Sequence, residues 1–207
     1  MNKKEVVVTG YGLVSCLGSD PSVYFDKMLI GESGINYTKS FDGSKTNCSI
    51  SGEVLVDYNI DEYMSKKESR RLDPYIKYAV IAAMNAVKMA KINFLSGEVI
   101  NERCGVSIGT SVGGMTTNSE ASHTLFKKGS RFVSPFFIPN LLGSMAGGEV
   151  SKKCGIRGSC SSIISACASS NSSIIHGMKQ IRSGESDIML VGGSESCITP
   201  ECAAGFG

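Results

Sequence analysis

Residues 162–170 read Ser162-Ile163-Ile164-Ser165-Ala166-Cys167-Ala168-Ser169-Ser170, and the fold is read outward from them. Small residues on both sides of Cys167 let the backbone turn tightly and let another molecule approach the thiol. The preceding residues 162–166 predict a strand, and residues 168–182 predict a helix. A cysteine at such a junction is a candidate nucleophile set on a sharp turn. Its thiolate is strongly nucleophilic, and a helix N-terminus favours that form.

The same alternation of strand and helix extends both ways. Residues 5–9 (Glu-Val-Val-Val-Thr) predict a buried parallel strand closed by Gly10-Tyr11-Gly12. Residues 20–31 predict a helix started by Pro21 and stopped by Gly31, with Tyr24, Phe25 and Met28 as its apolar face. Residues 32–60 are mixed and polar. Residues 65–89 predict one long helix, with Leu72, Ile76, Ala79, Val80, Ala83, Met84 and Val87 at helical spacing. Residues 104–109 and 187–191 predict core strands. Residues 116–129 predict a helix or an irregular stretch, and residues 140–153 a helix rich in small residues. Pro135 and Pro139 bracket an extended apolar segment at 136–138. The pattern indicates an α/β fold with a mostly parallel sheet.

Composition narrows the chemistry. A chain of 207 residues, 42% hydrophobic, can bury a sizeable core; its net charge of +2 says little about partners, any basic patch must be local, and no nucleic-acid partner is expected. The eight cysteines are scattered, with no C-x-x-C pair and neither histidine at a metal-finger spacing. They read as free thiols of a reducing compartment, with no metal expected. There is no signal peptide and no long apolar run, so the reading is cytoplasmic and without a membrane partner, an organelle being left open.

Two glycine-rich motifs admit plainer readings than nucleotide or phosphate binding. Gly10-Tyr11-Gly12-Leu13-Val14-Ser15 lacks the third glycine of a dinucleotide fingerprint and reads as a tight turn. Gly109-Thr110-Ser111-Val112-Gly113-Gly114 lacks the ending of a P-loop and reads as close backbone approach near a pocket. No cofactor is therefore expected. Lys67, Arg70 and Arg71 stand at i, i+3 and i+4 of the predicted helix and share one face. Alone they read as a solvated face, or else as a docking patch for an acidic partner. His176 follows Cys167 by nine residues, about 13 Å along a helix, too far to serve as its base. His123 has no evident partner. Both histidines read as structural or surface residues.

These residues together resemble the N-terminal half of β-ketoacyl-acyl-carrier-protein synthases, most closely the type II elongating enzymes of fatty acid synthesis. The resemblance runs along essentially the whole chain in ordered blocks. Among them are Val6-Val7-Val8-Thr9-Gly10, Gly31-Glu32-Ser33-Gly34-Ile35 and Arg70-Arg71-Leu72-Asp73. Gly105 to Thr110, Ser134 to Asn140, Ser165 to Ser170 and Ser186 to Glu195 follow. The resemblance implies a thiolase-like layered αβαβα fold, of which residues 1–207 are the N-terminal domain, and a homodimer. It implies that Cys167 takes an acyl group from acyl-carrier protein as a thioester. A malonyl group on a second carrier then loses CO₂, and the carbanion attacks that thioester. The Cys167 N–H is implied as one oxyanion donor. Val112, Phe137 and Phe206 match acyl-pocket positions, Phe137 from across the dimer. Lys67, Arg70 and Arg71 match the carrier-docking patch, which reverses the plainer reading of that cluster.

The chain also departs from the family. Gly158-Ser159-Cys160-Ser161-Ser162 stands where Gly-Pro-x-x-Ser is usual, and Ser165 replaces a threonine. The family's two histidines, a lysine and a second oxyanion donor belong to the C-terminal half. The chain by itself is therefore expected to be incomplete and inactive in condensation. Two other readings are a non-catalytic carrier-binding or heterodimer partner subunit, which has no need of Cys167, and a coenzyme A-dependent thiolase-like enzyme, which has no need of the basic cluster.

Overall fold

The computed structural model describes residues 5–55, 59–96 and 100–207. Helix α1 (Pro21–Leu29) begins at Asp20, whose carboxylate accepts the N–H groups of Ser22 (2.9 Å) and Val23 (3.0 Å). Gly31, at φ +72°, lies just past its end. The predicted apolar face is not buried: Phe25 and Met28 remain exposed, because none of the described elements covers that side. Strand β1 (Asn36–Tyr37) pairs antiparallel with β2 (Ile50–Ser51).

The single helix predicted over 65–89 is two. A Ser65–Glu68 capping box opens α2 (Lys66–Ser69), and α3 (Pro74–Ala90) starts afresh after Asp73. Pro74 forces the break. It has no N–H to continue a helix, and it disfavours helical geometry at the residue before it. Leu72 therefore falls in the link. Asp73 caps α3 through the Tyr75 N–H (3.2 Å) and reaches across to accept the Thr117 N–H (2.8 Å). Desolvation at this buried position pushes the Asp73 carboxyl up.

Strand β3 (Cys104–Gly109) is buried throughout. It leads through a glycine-rich turn to α4 (Met115–Lys128). Residues 136–138, predicted as extended, instead enter α5 (Phe137–Leu141): Pro139 sits in the first turn of that helix, where its missing N–H costs nothing. The helix predicted over 140–153 is the end of α5 followed by α6 (Met145–Cys154). Strand β4 is only Cys160–Ser161, so the strand predicted over 162–166 is absent: residues 162–164 have no regular structure and the chain turns from 165 to 168. Helix α7 (Ser169–Ser183), β5 (Ile188–Gly193) and α8 (Pro200–Phe206) complete the chain.

The sheet has the order β4-β3-β5, with both neighbours parallel to β3. Arg103 holds Asp187 with two bonds of 2.5 and 2.7 Å, fixing the adjacent starts of β3 and β5. Side chains alternate across the strand. Cys104, Val106 and Ile108 join Ile76, Val80, Ala146 and Val150 in the core beneath α3 and α6. Gly109 turns the other way, where a Cβ would lie 2.5 Å from the Ser169 carbonyl oxygen at the start of α7. The result is a helix–sheet–helix sandwich, in which Ile174 and Ile175 of α7 are each about half exposed.

Residues 5–9 form no ladder with this sheet. The chain instead runs past α3, with Gly10 and Gly12 so close to the Ala86 and Ala82 carbonyls that a Cβ would clash. Close passage, and not a tight turn, is what those glycines serve. A cavity of about 540 Å³, lined by residues 6–12, α3, α7 and β5, separates this segment from the strand edge.

Candidate active site

Cys167 is exposed and sits two residues ahead of α7. The residue before it, Ala166, has φ +51°, a left-handed conformation that costs a residue with a Cβ about 1–2 kcal/mol. Hydrogen bonds hold this turn. The Ala168 N–H donates to the Ser165 carbonyl (3.1 Å), and the Ser169 N–H to the Ala166 carbonyl (3.0 Å). The Ser169 hydroxyl accepts the Ser165 N–H (2.9 Å). It also lies 3.0 Å from the Thr110 carbonyl and 2.6 Å from that of Ala166, donating its single proton to one of them at a time. Cys167 thus projects from a strained elbow anchored to the end of β3.

The next turn of the site is Thr110-Ser111-Val112. Its donors converge as in an anion nest, and the nest is filled by the chain's own Glu195. One Glu195 oxygen accepts from Thr110 Oγ1 (3.1 Å), the Ser111 N–H (2.7 Å) and the Val112 N–H (3.0 Å). The other accepts the Ser196 N–H (3.2 Å). The sequence reasoning gave Glu195 no role. Its signal was an acid just past the Gly192-Gly193 end of one core strand, beside the glycine turn ending another.

The remaining predicted residues are dispersed. Val112, half exposed, joins the Cys167 elbow through Thr110 and Ser169. Phe137 is half-buried at the start of α5. Phe206 ends α8 almost fully exposed, and the following Gly207 lies against Asn47. Lys67, Arg70 and Arg71 are all exposed, but only Lys67 lies within α2. They form a patch around a helix end, not one helical face, because the helix stops at Ser69. The Arg71 guanidinium lies 4.9 Å from the centre of the Phe136 ring, and Asn140 Nδ2 donates to the Arg71 carbonyl. The patch therefore abuts the element that carries Phe137.

All eight cysteines are free. Burial pushes the Cys154 thiol up to about 11. Burial also raises Cys197, with Glu195, Cys202 and Cys167 adding to the effect, and it raises Cys160. His123 lies on α4 and His176 on α7. Among the described residues no group of histidines, cysteines and carboxylates could hold a metal ion. No helix among them is long and apolar enough to cross a membrane.

Comparison with known proteins gives this geometry a family. The chain is 39% identical over 208 residues to the chloroplastic 3-oxoacyl-(acyl-carrier-protein) synthase I of Arabidopsis thaliana, covering 99% of this chain and 43% of that one. It is 39% identical over 203 residues to 3-oxoacyl-(acyl-carrier-protein) synthase 2 of Staphylococcus aureus strain COL, covering 98% and 48%. The chain thus spans a little under half the length of these relatives. Among solved structures, the ishigamide ketosynthase/chain length factor superposes with a TM-score of 0.88 at 23% identity, over 99% of this chain and 50% of that one. The fold is that of the thiolase-like ketosynthases. The sequence profile described as "Beta-ketoacyl synthase, N-terminal domain" matches residues 3–207, and with the cysteine elbow and the parallel sheet behind it, this chain belongs to the β-ketoacyl synthase family.

Proposed function

We propose that this chain carries the acyl-accepting site of a 3-oxoacyl-(acyl-carrier-protein) synthase of fatty acid biosynthesis, with Cys167 as the nucleophile. The observation that carries this reading is the exposed thiol on an elbow held in a strained conformation, in a chain of this family. The Cys167 thiolate attacks the carbonyl of an acyl thioester. The tetrahedral intermediate expels the carrier's thiolate, which takes up a proton, and the acyl group remains on sulfur. The Cys167 N–H is the group that steadies the oxyanion. In the whole enzyme's second half-reaction, for which the histidines expected in the C-terminal half are needed, a malonyl thioester loses CO₂, and the resulting carbanion attacks the Cys167 thioester. A carbon–carbon bond forms and the thiolate is released.

Val112 and Phe137 are the apolar residues along which the acyl chain lies, Phe137 contributed across a homodimer. Phe206 belongs to the same pocket in this reading. Lys67, Arg70 and Arg71 receive an acidic carrier protein. Their exposure beside Phe136 supports that role, because a carrier docked there delivers its acyl group towards α5. The carrier is also the substrate partner named for both relatives. Eight free thiols fit a reducing compartment, the cytosol or an organelle.

The test is transfer of an acyl group from acyl-carrier protein to this chain. A mass increase equal to the acyl group, reversed by hydroxylamine, is the expected result. An unchanged mass after prolonged incubation contradicts the reading.

A further inference from the structure

The strain at Ala166 needs an explanation outside the elbow. A residue with a Cβ stays at a positive φ only when its surroundings hold it there. Ser169 does the holding, since its hydroxyl takes the Ser165 N–H and lies against the Ala166 carbonyl. Ser169 is itself buried and tied to the Thr110 carbonyl. Thr110, also buried, accepts the Gly113 N–H at its hydroxyl oxygen (3.1 Å) and donates its own hydroxyl proton to Glu195. The Glu195 carboxylate is therefore linked to the backbone beside Cys167 by hydrogen bonds to the Thr110 hydroxyl on one side and from Ser169 to the Thr110 carbonyl on the other, joined through Thr110 itself.

The same carboxylate oxygen holds the Ser111 and Val112 N–H groups. Two parts of the site thus depend on one side chain: the turn presenting Val112 and the turn presenting the thiol. We infer that Glu195 is the positioning residue that sets the Val112 wall and the Cys167 elbow in register, and so determines how a long acyl chain lies against the thiol. Glu195 touches no reacting atom. An anion suits the position because three donors converge on a single oxygen. Glutamine keeps the reach and one accepting oxygen but loses the charge. Alanine leaves the nest empty.

This inference rests on the reading of Cys167 as the acyl acceptor, and the experiment separates the two. Hexadecanoyl- and acetyl-carrier protein are each offered to the wild-type chain and to Glu195→Ala, Glu195→Gln and Ser169→Ala. Acylation of Cys167 is timed by mass spectrometry, and melting temperatures are measured alongside. Glu195→Ala is expected to slow hexadecanoyl transfer about tenfold, the loss of one charge-assisted hydrogen bond, and to slow acetyl transfer distinctly less. Glu195→Gln is expected to recover part of that loss. Ser169→Ala, which frees the elbow but not the Val112 turn, is expected to slow both substrates alike. Glu195→Ala slowing both substrates by one factor, or neither, overturns the inference.

If the wild-type chain takes no acyl group, the acyl-acceptor reading fails, and a second arm still decides the positioning. Iodoacetamide is then expected to alkylate Cys167 about threefold more slowly in Glu195→Ala than in wild type at pH 7, with Cys16 unchanged. Equal rates at Cys167 overturn it. Should Glu195→Ala not fold, Glu195→Gln carries both arms with the same signs.

Discussion

At the scale of single residues, the site depends on contacts too close to tolerate added atoms. Gly109 packs its missing side chain against the Ser169 backbone, at the point where β3 meets the start of α7. Gly109→Ala must push those two apart. Its predicted cost is about 1–3 kcal/mol, seen as a lowered melting temperature, together with slower alkylation of Cys167 as the elbow moves. A variant with wild-type stability and thiol reactivity would show that this approach is not rigid. Cys167 itself was legible in the sequence because small residues and a following helix are local signals. The strain at Ala166 and the part played by Ser169 were not. Both depend on the Thr110 carbonyl, which lies 59 residues from Ser169 in sequence.

At the scale of elements, single polar groups have readable effects on stability. Ser173 is wholly buried in α7 and its hydroxyl has no hydrogen-bond partner among the described residues. Ser173→Ala removes that unsatisfied group and adds helix propensity, so it is predicted to stabilise by about 0.5–1.5 kcal/mol in denaturant titration. A destabilised variant would mean that the hydroxyl is bonded in solution.

The capping box at α2 gives a pH signature. The Ser65 N–H, then Lys153 and the Ser65 hydroxyl, hold the Glu68 carboxyl down from an ordinary 4.5 to about 2. Its folded pKa lies below the unfolded one. Its contribution is therefore present in full above about pH 4.5 and lost as the pH falls towards 2. Melting temperatures of wild type and Glu68→Gln should differ at pH 6 and converge between pH 4.5 and 2. A gap independent of pH over that window contradicts the assignment.

Elements were legible where periodicity and boundaries agreed. Residues 104–109 and the helix after Cys167 fall close to where the pattern put them. The continuous helix over 65–89 failed because apolar spacing carries across Pro74 while the backbone does not. The segment at 5–9 failed for another reason. An apolar run predicts burial, but a ladder also needs a partner edge in register, and this segment stands off β5.

At the scale of the whole molecule, the three proposed functional regions lie on one framework. The basic patch at the end of α2 abuts Phe136, α5 follows with Phe137, and the β3 turn leads through Val112 and Thr110 to the elbow. Docking of an acidic carrier at Lys67, Arg70 and Arg71 should weaken with salt. Arg70→Glu is predicted to raise the carrier concentration needed for half-maximal acylation several-fold, leaving Cys167 alkylation by iodoacetamide unchanged. Arg71→Glu is predicted to do more, since it also removes the cation from the Phe136 ring. Indifference of acylation to both substitutions and to salt would move the docking surface elsewhere.

The family and the layered fold were legible because many short blocks recur in order. The partial exposure of Ile174 and Ile175 on α7 and the open face of α1 were not, because a hydrophobic pattern tells which side is apolar and not whether anything covers it.

The central claim is that Cys167, and no other thiol, accepts the acyl group. The most direct measurement is peptide mapping after incubation with hexadecanoyl-acyl-carrier protein, with Cys167→Ala in parallel. The account predicts a hydroxylamine-labile hexadecanoyl group on the peptide carrying Cys167, absent from the variant. A label on Cys160 or Cys197, or a label that persists in Cys167→Ala, would contradict it.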